Sequence, residues 1–145
     1  MSQENVQVVR RIWELYAQGT PAAVAATYDE GLLAPDSTFT PAEEVPGKET
    51  YVGREGFMKF LRGWDAEFGE WSLQVEKIID AGDDRVVVLL HEFGQGRRSG
   101  VSVELRLGSV YRFEGGQVIE RRDYLDHTRA LEAVGLSEQD AHAGS

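Results

Sequence analysis

The run Val118-Ile-Glu-Arg-Arg-Asp-Tyr-Leu-Asp126 concentrates acids and bases in one strand-length segment. Read with the period of two of an extended chain, Val118, Glu120, Arg122, Tyr124 and Asp126 share one face, and Ile119, Arg121, Asp123 and Leu125 share the other. Each face therefore carries ionisable groups. Either these neutralise one another in a structural network, or one face lines a cavity where they act on a ligand. A desolvated Asp126 would be a base for taking a proton from carbon beside a carbonyl, or from water. The same aspartate stands just ahead of an Ala130 to Val134 helix, where it also fits an N-cap. His91, inside an apolar strand, reads as a proton carrier or as a hydrogen-bonded structural histidine. Tyr16, Tyr28, Trp64, Tyr111 and Tyr124 bring hydroxyl or indole donors to an apolar background, which suits either a hydrophobic ligand or core packing. Glu104, Arg106, Arg121 and Asp123 read as an outward ladder of solvated ion pairs and stay outside the expected site.

Other chemistries lack their parts. With zero cysteines, disulfides, thiolate nucleophiles and cysteine-ligated metals drop out. The 3 histidines show no ligand spacing such as His-Glu-x-x-His, so no metal is expected. Gly94-Gln-Gly-Arg-Arg-Ser-Gly100 reads as a hairpin tip with no helix behind it, which makes it a poor phosphate cradle and leaves no expected cofactor. Ser99 and Ser109 lack the strand-turn-helix setting of a nucleophile elbow. A net charge of -10 and a pI of about 4.7 repel phosphate backbones, so nucleic acid is not an expected partner. No apolar run approaches the ~20 residues that span a bilayer, and the first residues lack a signal-peptide pattern. The expectation is a soluble cytoplasmic protein without a membrane partner.

The elements that must position these residues follow from periodicity. Apolar residues at Val6, Val9, Ile12, Trp13 and Tyr16 predict a helix from Asn5 to Gln18, which Gly19 ends. Thr20-Pro21 predicts a capped second helix carrying Ala22 to Tyr28. Residues 29–50 hold three prolines and read as short extended pieces around Thr38-Phe39. Phe57, Phe60, Leu61, Trp64 and Phe68 give a third helix its aromatic stripe. Strands are expected at Trp71 to Ile79, Arg85 to Phe93, Val101 to Phe113 and Val118 to Asp126, paired antiparallel across tight turns. Helices ahead of such a sheet make an α+β domain over residues 1–136, with 137–145 as a disordered tail. Val101, Val103, Leu105, Leu107, Tyr111 and Phe113 should face the helices. In the preceding strand both faces are apolar, which points to a homodimer packed sheet to sheet.

Gly116 to Leu136 resembles the closing segment of SnoaL-like proteins, part of the nuclear transport factor 2-like superfamily with ketosteroid isomerases, polyketide cyclases and limonene epoxide hydrolases. Tyr51-Val-Gly-Arg-Glu-Gly56, Gly94 to Gly100, Val103 to Phe113 and the Glu114-Gly-Gly turn follow that family's order of elements. The resemblance implies a cone: a curved antiparallel sheet of four to six strands, three N-terminal helices on its concave face and a short C-terminal helix. In limonene epoxide hydrolases a Tyr-aromatic-Asp ending puts its aspartate in the pocket. Tyr124-Leu125-Asp126 matches with leucine replacing the aromatic, which favours Asp126, Tyr124, Arg122 and Glu120 as pocket-side groups. Those relatives also use an Arg-x-Asp pair on a neighbouring strand, where this chain reads His91-Glu92-Phe93.

The implied function is cofactor-independent general acid-base chemistry on a hydrophobic small molecule, as in an isomerase, an aldol-type cyclase or an epoxide hydrolase. Asp126 would be the base or acid, Tyr124 a donor and His91 a secondary proton carrier. Tyr16, Tyr28, Trp64, Tyr111, Arg122 and Glu120 would contact the substrate. The alternative is a noncatalytic protein that binds a hydrophobic small molecule in the same cone.

Overall fold

The computed structural model describes residues 2–45 and 49–143. Helix α1, Ser2–Tyr16, buries Val9, Ile12 and Trp13 on the face that its stripe defines. Helix α2, Pro21–Asp29, starts where Thr20 Oγ1 accepts from the Ala23 N-H at 3.1 Å, with proline in the first turn. Strand β1, Leu33–Thr40, and the two-residue β2, Tyr51–Val52, precede α3, Gly53–Glu67. Four long strands follow: β3 Phe68–Gly82, β4 Arg85–Gly96, β5 Ser102–Glu114 and β6 Gln117–Leu125. They lie in a single six-stranded sheet with the order β2-β1-β6-β5-β4-β3. Every pair is antiparallel except β1 with β6, which run parallel. The architecture is the expected α+β cone.

The concave face holds the main core. Val86, Val88 and Leu90 of β4, with Leu107, Tyr111 and Phe113 of β5, pack against Val9, Ile12 and Trp13 of α1. This is the β5 face that alternation assigns to the helices. Phe39 and Phe57 join α3 to β1 in a smaller aromatic cluster with Val24.

Bulges reset the alternation at several points in the sheet. In β3, Val75 pairs Leu90 and Lys77 pairs Leu89, so Glu76 is an extra residue. In β6, Glu120 pairs Arg112 while Val118 pairs Phe113, so Ile119 is extra. Val118 is thus buried opposite Phe113, and beyond the bulge the inward set becomes Arg121, Asp123 and Leu125. Glu120, Arg122 and Tyr124 turn to the convex side, against the expectation that they face the cavity. A strict period of two cannot report such a shift.

Part of the convex face is covered from within the chain. Helix α4, His127–Ala133, lays Ala130 and Leu131, with Val134 just beyond it, over Val87 and Leu89. Val87 and Leu89, on the second face of β4, are therefore covered without a second subunit, while Phe93 further along that face stays exposed. The approach is so close that a Cβ on Gly108 would lie 2.2 Å from the Ala130 Cβ. Beyond α4 the chain forms α5, Glu138–Ala143, where sequence reading expects a disordered tail. The reason is a local cap: Asp140 N-H donates to Ser137 Oγ at 3.1 Å, and Ser137 N-H donates back to Asp140 Oδ2 at 2.9 Å.

Candidate functional site

At the centre of the concave face sits an ion pair contributed by one strand. Arg121 and Asp123 both point inward from β6, and the guanidinium meets the carboxylate through Nε–Oδ1 and NH2–Oδ2 contacts of 2.9 Å each. Their side chains are 9% and 7% exposed. Ser109, opposite Asp123 on β5, donates its hydroxyl to Asp123 Oδ1 at 2.7 Å. Both carboxylate oxygens are thereby occupied, as a buried charge requires.

Aromatic rings enclose the guanidinium. Its Cζ lies 4.6 Å from the ring centre of Phe39, 5.2 Å from Trp13, 5.7 Å from Tyr111, and 5.9 Å from both Tyr16 and Phe57. Negative ring faces favour the cation in a place where water cannot solvate it. Burial opposes the arginine charge, but Asp123 and the surrounding phenols outweigh it and hold the pKa well above its usual value. Burial likewise pushes the Tyr16 and Tyr111 phenols up, so both stay protonated.

Glu92 is the acid that the sheet brings toward this pair. It extends the inward series Val86, Val88, Leu90 on β4, opposite Leu105, and is 8% exposed. Burial first and the Asp123 charge second push its pKa up to about 7, against smaller pulls from the Arg121 charge and from a hydrogen bond with Trp71. Half-buried Leu73, Leu105, Leu125 and Trp64 pack at the margin of the same core. The arrangement offers a carboxyl able to take or give a proton near neutrality, on the face that carries the ion pair and against an apolar background.

The residues expected from the sequence divide between the two faces. Tyr16 and Tyr111 stand in the ring around Arg121. Tyr28 is half-buried and donates to Gly53 O at 3.4 Å, while Trp64 stacks among Phe60, Phe68 and Trp71. Asp126 is exposed at the start of α4, where its Oδ1 accepts from the Arg129 N-H at 2.9 Å. Of its two readings, this geometry is the helix cap. Tyr124 and Arg122 line a convex-side groove of about 550 Å³ between Pro41 and Glu132, and Glu120 pairs with Arg112 and Arg122.

His91 lies on the convex face, bonded through Nε2 to Glu104 and 3.8 Å from Glu76. Arg121 and Asp123, expected outside, form the centre, and Ser109, Glu92 and Trp13 join them there although sequence reading does not place them in a site. One signal exists in the chain, because Arg121-Arg122-Asp123 is itself an Arg-x-Asp pattern, carried on the last strand instead of its neighbour. Among the described residues no group of three or more His, Cys, Asp or Glu is placed to hold a metal ion.

A curved, unclosed sheet that closes helices over a polar pair at its centre defines a nuclear transport factor 2-like cone. The solved structures agree: an NTF2-like protein of unknown function from Burkholderia pseudomallei is 25% identical over 91% of this chain and 98% of its own, with a TM-score of 0.71. One from Burkholderia thailandensis is 24% identical over 84% and 90%, with a TM-score of 0.74. TerC, crystallised with polyporic acid, is 17% identical over 90% and 98%, with a TM-score of 0.71. The SnoaL-like domain model matches residues 9–121, and the chain belongs to that family. No curated protein sequence matches it significantly.

Proposed function

We propose that this SnoaL-like chain is a small-molecule enzyme that works by cofactor-independent general acid-base chemistry inside the cone, with Glu92 as the group that moves the proton. The observation that carries this reading is the Glu92 carboxyl, buried on the same concave face as the Arg121–Asp123–Ser109 network and within reach of the Asp123 and Arg121 charges. A proton affinity matched to neutral pH lets one carboxyl abstract a proton and return it to another atom. The apolar margin selects a hydrophobic substrate, and the fixed ion pair supplies a field that need not reorganise as charge moves. Isomerisation or aldol-type cyclisation begins with proton abstraction beside a carbonyl. Epoxide opening begins with the same act on water. The reading includes a homodimer joined across the convex sheet face around the exposed Phe93.

Hydrophobic ketones incubated with the protein in D₂O test the proton step, whatever the natural substrate is. Deuterium should enter the carbon beside the carbonyl, and Glu92→Gln should slow this by about a hundredfold or more. Ketones that bind without exchanging would leave a binding protein in place of an enzyme.

A further inference from the structure

Trp71 of β3 and Glu92 of β4 share the concave face of neighbouring strands. The register pairs Leu73 with Glu92 and Trp71 with Gly94, so Trp71 stands on the diagonal from Glu92, a span that an aromatic side chain can cross. Gly94 leaves the ring room to lie flat over the strand: a Cβ there would sit 1.9 Å from Cε3 and 2.4 Å from Cζ3 of Trp71. Gly94 does not have a positive φ, so no turn demands a glycine at this point; the close approach of the indole does. Trp64 meets the same ring edge-on at 4.9 Å and Phe68 lies 5.0 Å away, which fixes the indole on two further sides. An indole N-H can only donate. It donates to Glu92, favouring the charged carboxylate where burial and the Asp123 charge favour the acid. The other charge acting on Glu92 is Arg121 of β6, while Leu73 on β3 and Leu105 on β5, directly opposite the glutamate, bring no polar side-chain atom to it.

We propose that Trp71 is the positioning residue for Glu92: from the seat that Gly94 leaves open, its indole N-H holds one carboxylate oxygen, and the second oxygen stays free to exchange a proton with the substrate. This rests on the reading of Glu92 as the group that moves the proton. The bond is strong to the base and weak to the acid, so it keeps carboxylate populated at neutral pH in a place where desolvation works against it. It also holds the carboxylate in one orientation instead of several.

The test follows the Glu92 carboxyl carbon and the Trp71 indole N-H by NMR of the labelled protein across the neutral pH range, with no substrate present. The indole resonance should shift with the midpoint of the carboxyl, and Glu92→Gln should silence that shift. Trp71→Phe should move the carboxyl midpoint up by about one pH unit or more, the scale of one hydrogen bond to a charged group. If the ring served only as cover, the smaller side chain would admit water and move the midpoint down. Benzothienylalanine at position 71 keeps the ring shape and replaces the N-H by sulfur; it should reproduce the upward move, and it decides if the Phe variant fails to fold. Gly94→Ala keeps the indole but closes its seat, and should act in the same direction.

An indole resonance that ignores the Glu92 titration, or a midpoint that stays or falls in the benzothienylalanine protein, overturns the proposal. In deuterium exchange, the pH of half-maximal rate should follow the carboxyl midpoint upward in the Trp71 variants. Exchange absent from the wild type removes the acid-base reading and leaves the indole–carboxyl coupling to the NMR result. Exchange that keeps the wild-type pH profile in those variants removes Trp71 as a positioning residue and retains Glu92.

Discussion

Glu92 takes its proton affinity from burial first and from the Asp123 charge second, with Arg121 pulling the other way. The folded state therefore holds this proton more tightly than the unfolded chain. The stabilising share is complete below pH 4.5 and is lost as pH rises through about 7. A shift of that size corresponds to on the order of 3 kcal/mol at most. Urea denaturation between pH 4 and 8 should show wild-type stability falling across that window, and Glu92→Gln should flatten the decline. An equal decline in both proteins would assign the titration elsewhere and remove Glu92 as the proton-moving group. Arg121 and Asp123 show why single residues are hard to read from sequence. Each is charged, and an isolated charge on a strand reads as solvated; only the partner two residues away and five aromatic rings from four other elements make burial tolerable.

The legible elements are those whose periodicity carries across their whole length. The aromatic stripe of α3 and the inward alternation of β5 are plain in the chain, as is the Thr20-Pro21 start of α2. The face of β6 is not, because Ile119 adds one residue to a ladder whose hydrophobic content is balanced on both sides. Strict alternation puts Val118 on the face of Glu120, whereas it packs opposite Phe113. The far end of β6 carries its own test. Asp126 has φ of 120°, which strains a residue with a side chain, and its carboxylate caps α4. Asp126→Ala should cost about 1 kcal/mol or somewhat more by chemical denaturation. Asp126→Gly should cost less, since glycine accepts that backbone freely. Asp126→Asn keeps the cap and should leave deuterium exchange at the wild-type rate. If exchange collapses in the folded Asn variant, catalysis belongs to the end of β6 after all.

At the scale of the whole molecule, the convex face divides into a half sealed by α4 and a half bearing Phe93, 39% exposed beside His91. Sedimentation at micromolar concentration should give twice the chain mass of 16.1 kDa, and Phe93→Asp should return the monomer. A wild-type protein that sediments as a monomer removes the dimer from the proposal. The strand order has a consequence in time as well as in space. β6, the last strand to leave the ribosome, lies between β1 and β5. At ~5–20 residues per second, the aromatic residues of α1, β1 and α3 wait on the order of ten seconds for Arg121 to be synthesised. Throughout that interval the seam meant for β6 is an open strand edge beside uncovered rings. A chain truncated before Gln117 should therefore aggregate instead of yielding a smaller folded domain, which light scattering of the expressed fragment would check.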